Sequence, residues 1–110
     1  LAEIIKSEWG DRTVAGATEV FSYMDGGYEW DFFGAWYDPE ARIFYWIEDS
    51  GCSCNSPMDW VDSTSELSVG SKDELIRAYK EFAKGSHFMS SDDRVTAERD
   101  IKQAIKEATK

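Results

Sequence analysis

Basic residues are scarce in this chain. Twelve Lys and Arg stand against 22 Asp and Glu, for a formal charge of −10 over 110 residues. Gripping a nucleic-acid backbone requires cations that displace condensed counterions, so this balance argues against default contact with DNA, RNA or an anionic membrane. No run approaches the ~20 apolar residues of a membrane-crossing helix. No basic segment followed by an apolar stretch opens the sequence either. The chain begins at Leu1, and without a visible leader the expected setting is the cytoplasm. Two cysteines and one histidine fall short of the four ligands of a structural zinc site unless carboxylates complete it. Internal repeats, low-complexity tracts, a Walker loop, a dinucleotide-binding glycine pattern and HExxH are all missing.

What is present suffices for one folded domain. Apolar residues make up 42% of the chain and aromatics 15%, enough to offset the entropy of ordering the backbone. A chain of this length buries roughly two-thirds of its unfolded surface, so a core forms without staples.

The acid is concentrated. Residues 1–28 carry a net −3, residues 29–74 carry two bases against eleven acids for −9, and residues 75–110 carry +2. The acidic middle is also where aromatics crowd, and it has the sequence character of a sheet. Thr18 to Met24 is β-branched and aromatic, Asp25-Gly26-Gly27 supplies a tight turn, and Tyr28 to Asp38 returns antiparallel. Strand alternation puts Tyr28, Trp30, Phe32 and Trp36 on one face and Glu29, Asp31, Phe33, Ala35 and Tyr37 on the other. Asp38-Pro39-Glu40-Ala41 is a turn leading into a third strand, Arg42 to Glu48, which is apolar on both parities and therefore central. Asp49 to Pro57 is dense in turn formers and is expected to be a loop, with a short fourth strand around Met58 to Val61.

The last third has helical period. Ser71-Lys72-Asp73-Glu74 matches a capping box, and Leu75, Ile76, Tyr79, Phe82 and Ala83 recur at helical spacing up to Gly85, placed to end the helix in a left-handed conformation. A second start at Ser90 to Asp93 opens a helix whose acids come early and lysines late. The first nine residues, with Ile4, Ile5 and Trp9, suit a short helix or a first strand, and a helix is the expected form. The expected fold is α+β, an antiparallel meander of three to four strands followed by two helices packing on the sheet.

Little here carries catalysis. Cys52 and Cys54 could chelate a soft metal with His87, Asp49 or Asp59, but the spacing is tight and small side chains in a loop explain it as well; free thiols are the expected state. A Cys–His nucleophile needs a depressed thiol pKa, which the neighbouring Asp49 and Asp59 oppose. Carboxylate pairs such as Glu48 and Asp49 arise by chance in so acidic a chain. No enzyme activity, metal or cofactor is expected.

The aromatics are mostly core material, but their presence on both parities of adjacent strands exceeds what two helices on one face can cover. An uncovered aromatic face rimmed by carboxylates is a protein-binding surface. The expected contact residues are Glu29, Trp30, Asp31, Trp36, Glu48, Asp49 and Trp60. Stacking of single-stranded bases would need a positive groove, which this stretch lacks.

Tyr28-Glu29-Trp30-Asp31, Gly34, Trp36, Phe44-Tyr45-Trp46 and Asp49-Ser50-Gly51-Cys52-Ser53-Cys54-Asn55-Ser56-Pro57 resemble a family of small uncharacterised proteins encoded by phages of actinobacteria. The DSGCSC element with its nearby Pro57 is the distinctive part, and the resemblance covers about a third of the chain. Met58 and Asp59 depart from the aromatic and acid expected after that proline. The resemblance implies a phage origin and an intracellular setting, and brings no activity, fold or ligand. Three functional expectations follow. The first is a non-enzymatic accessory protein binding a host or phage protein, the second an acidic nucleic-acid mimic, and the third a small metal-binding protein using the Cys-x-Cys loop.

Overall fold

The computed structural model describes residues 3–6, 12–26, 28–52, 57–58, 61, 63–85 and 91–109. Strands β1 (Glu3–Lys6) and β2 (Arg12–Ala15) form a two-stranded antiparallel sheet. Strands β3 (Thr18–Gly26), β4 (Glu29–Asp38), β5 (Ile43–Cys52) and β6 (Ser68–Gly70) form an antiparallel sheet in sequence order. Helices α1 (Lys72–Gly85) and α2 (Ser91–Ala108) follow. The α+β architecture and antiparallel meander expected above are those observed.

The turns follow their local chemistry. Gly26 adopts φ 118, and a Cβ there would run into the Glu29 carbonyl oxygen, so only glycine fits the β3–β4 turn. Asp38, buried at 3% exposure, accepts from the Glu40 and Ala41 amides through Oδ1, while the Arg42 amide donates to its carbonyl. These bonds close the β4–β5 turn and hold Arg42 at φ 57. At α1 the capping box is present. The Glu74 amide donates to Ser71 Oγ, and the Ser71 amide donates to Glu74 Oε1.

The sheet has a core on each face. On one side Phe33, Ala35, Phe44 and Trp46 pack against Leu75, Tyr79 and Phe82 of α1 and against Ala97, Ile101 and Ile105 of α2. On the other, Trp36 and Ile47 pack with Val14 of β2, Met58, Val61 and Leu67. Strands β4 and β5 are covered on both faces, as the doubly apolar third strand requires.

Several local expectations are corrected. The N-terminal segment is strand: Ile4 pairs with Val14 and packs on the second core, a role its β-branched side chain suits. Residues 49–52, expected in a loop, continue β5 and pair with residues 29–32 of β4. Met58 to Val61 is not the fourth strand. Met58 has φ 67 and its carbonyl accepts from the Val61 amide, a turn geometry; the fourth strand is β6, pairing with residues 44–46. Gly85 lies within α1 and does not take positive φ. His87, Trp9 and Trp60 lie outside the described residues.

Gly34 is a packing requirement in mid-strand. A Cβ there would sit 2.8 Å from Trp36 Cη2 and 2.9 Å from Phe32 Cζ, because both rings close over the glycine. Gly34→Val is expected to destabilise the fold by about 1–3 kcal/mol through overpacking, measured as a lower urea midpoint at unchanged slope. An unchanged midpoint would show that the rings yield freely.

Candidate protein-binding surface

The expected contact residues divide by register. Cross-strand neighbours point to the same face, so Asp25, Asp31 and Ser50 form one row across β3, β4 and β5, and Glu48 stands beside Phe33 in the next row on that face. This is the helix-covered face, beyond the last turn of α1. There Asp31, Glu48, Asp49 and Ser50 line an open groove of about 300 Å³ together with Glu81 and the ring of Phe82. The carbonyl end of α1 adds the negative pole of its dipole. Glu81 pairs with Lys84 at 3.5 Å, an exposed contact that solvent weakens.

Asp25 directly opposes Asp31, and like charges across a strand pair are destabilising. Asp25 is held in place, with Oδ1 accepting from the Gly26 amide and Oδ2 from Tyr23 Oη. Asp31 is half-buried, and Glu29 and Glu48 are exposed.

Asp49 has a structural task. It belongs to the opposite-face row of Met24 and Phe32. Its Oδ1 accepts from the Ser50 amide and its Oδ2 from the Met58 amide at 3.0 Å, tying the segment after β5 to the strand.

The tryptophans are the main correction. Trp30 is 3% exposed and its indole N–H donates to the Cys52 carbonyl at 2.9 Å; Trp36 is 5% exposed in the second core. Neither can anchor a partner. The β1–β2 hairpin and the stretch around Met58, Val61 and Leu67 cover the face expected to be open. Of the exposed apolar side chains, Tyr28 (86%) and Met24 (55%) lie beside the β3–β4 turn, and Val69 and Val95 lie on β6 and α2.

In the Cys-x-Cys element, Ser50, Gly51 and Cys52 complete β5, Pro57 is half-buried, and Ser53 and Cys54 lie outside the described residues. Cys52 is disulfide-bonded, contrary to the expectation of free thiols, and the only other cysteine in the sequence is Cys54. No group of three or more His, Cys, Asp or Glu suited to a metal occurs among the described residues.

Residues 7–110 match the family model described as Domain of unknown function (DUF7574). The chain belongs to that family. No curated protein and no solved structure matches it. Within this DUF7574 domain, no described helix is long and apolar enough to cross a membrane.

Sequence reasoning missed Asp25, which counted only as a turn former, and Glu81, which it did not single out. The register of the Asp-Gly-Gly hairpin held the signal for Asp25, because counting back from the turn sets it opposite Asp31.

The acids also act on the tyrosines between sheet and helices. Burial raises the ionisation of Tyr79 well above the ordinary tyrosine value, and Asp100 and Asp93 reinforce it. Tyr23 is raised by burial and then by Asp25, Asp93 and Asp31. A tyrosine harder to ionise when folded favours the native state below its unfolded value of about 10. That advantage is lost as pH rises through the higher folded value. Stability should therefore fall above about pH 10, and Tyr79→Phe should flatten the fall in urea midpoints; an equally steep fall in Tyr79→Phe would contradict this. Independently, alkylating the unfolded, unreduced chain should leave Cys52 unlabelled in peptide mass spectra. Labelling without reductant would refute the disulfide.

Proposed function

We propose that this DUF7574 domain is a non-enzymatic phage accessory protein that captures a basic host or phage protein on the acidic end of its sheet, in the host cytoplasm. The observation that supports this most is the convergence of Asp25, Asp31, Glu48 and Glu81, from β3, β4, β5 and α1, on one end of the helix-covered face.

A partner with Lys and Arg at matching spacing gains both steering and register from this surface. Tyr28 and Met24 supply apolar contact at its rim, in place of the buried Trp30 and Trp36. Glu29 extends the acid around the turn. The nucleic-acid mimic is the same surface with a DNA-binding protein as its partner.

The test is capture of a partner from host lysate by the immobilised chain. Paired Asp31→Lys and Glu48→Lys exchanges, both clear of the core, should reduce capture by about tenfold or more, whereas wild type retains it. Undiminished capture would remove the acidic end from the interface. Duplex DNA added in excess should displace the partner if the chain is a mimic and leave it bound otherwise.

A further inference from the structure

Strand β3 is an edge. It pairs with β4 on one side, and no described strand pairs with the other. The register slips between Glu19 and Phe21, and from Phe21 to Gly26 the pairing runs without interruption for six residues. An edge of this length presents a row of backbone donors and acceptors, which natural sheets usually protect with Lys, Pro or a covering element. β3 has neither Lys nor Pro, and its charged residues, Glu19 and Asp25, are both acidic.

Along β3, an open groove of about 350 Å³ runs beside α2, which packs on the strand. It is lined by Phe21, Tyr23, Met24, Tyr79, Asp93 and Asp100, and no Lys or Arg is among its described lining residues. Asp100 accepts from Thr96 Oγ1 and lies 3.9 Å from Arg99, whose side chain is largely exposed. The groove therefore joins aromatic faces to carboxylates, the combination that receives a Lys or Arg stem and its charged head.

We infer that β3 is a docking edge for an extended basic segment of a protein partner, which adds as a further strand and lays alternate Lys or Arg side chains into the β3–α2 groove. Main-chain bonds supply affinity in this mode and alternate side chains supply selectivity. The inference rests on the protein-binding reading above and names its mode and partner chemistry. Charge selects the occupant. A second copy pairing antiparallel about Ser22 would set Glu19 against Asp25, like charge against like, whereas a basic strand meets acid throughout.

The probe is a capped peptide of about seven residues alternating Lys with Thr, long enough to span residues 21–26, titrated into the isotope-labelled chain. Saturable shifts and slowed hydrogen exchange at the β3 amides are expected. Asp93→Lys with Asp100→Lys, both exposed on α2, should weaken binding about tenfold or more while leaving the helical circular dichroism unchanged. N-methylating alternate peptide amides should abolish binding in one of the two possible phases and spare it in the other, which no purely electrostatic contact would do.

Equal binding by both N-methylated peptides would overturn strand addition. Shifts confined to Asp31, Glu48 and Glu81 would overturn it too, while leaving the acidic end as the binding surface. Shifts at β3 that grow with protein concentration in the absence of peptide would make a second copy the occupant and overturn the inference. The absence of saturation up to about 1 mM would also overturn it, and lysate capture would then decide the protein-binding reading on its own.

Discussion

The ring of Phe33 is where sheet and helices are joined. Fully buried, it lies 5.0 Å from the ring of Tyr79 and 5.4 Å from that of Phe82, and Phe21 meets Tyr79 edge-on at 4.9 Å. Aromatic contacts of this kind add about 0.5–1.5 kcal/mol each to the area they bury, and they set how far along the strands α1 reaches. Since α1 ends near Phe82, the strand rows beyond Phe33 are left without a helical cover. Asp25, Asp31 and Ser50 occupy the next row and Glu48 stands beside Phe33, so the acidic end exists because the aromatic seat lies where it does.

The same seat explains the electrostatics between layers. α2 lies against β3 with Asp93 and Asp100 beside Tyr23 and Tyr79, where burial and carboxylates together oppose loss of the phenolic protons. On the outer side, Lys80 donates to Glu98 at 3.0 Å and Lys102 stands 3.9 Å away; this holds the Glu98 carboxyl below its ordinary value and links α1 to α2. Lys80, Lys84 and Lys102 thus pair with acids on the helical surface.

Much of the fold was legible because its signals are local. The period-two run through Phe33 and Trp36, the turn at Asp38 and the Ser71–Glu74 capping box each depend on residues within a few positions, and each forms as expected. The partition of β4 into a Trp36 face and a Phe33 face was also legible, since alternation alone dictates it. The β1–β2 hairpin was not, because Ile4 and Val14 are isolated apolar residues whose role appears only when Trp36 and Ile47 are brought against them. The turn at Met58 was equally hidden: nothing in its neighbours announces a left-handed residue, and the Asp49 carboxylate that receives its amide is nine positions away.

By itself the sequence determined an acidic chain with a central antiparallel sheet, two helices after it and negative charge gathered in residues 29–74. These properties follow from composition, from alternation along strands and from hydrogen bonds that close within four residues. Only the tertiary structure decided which aromatics are available. Trp30 and Trp36 have the same composition cues as Tyr28, yet the first two are sealed and the third is open. The physical reason is that burial is a property of distant segments meeting. Strands β1 and β2 with Met58, Val61 and Leu67 close one face, α1 and α2 pack on the other, and the acidic groove lies beyond the last turn of α1.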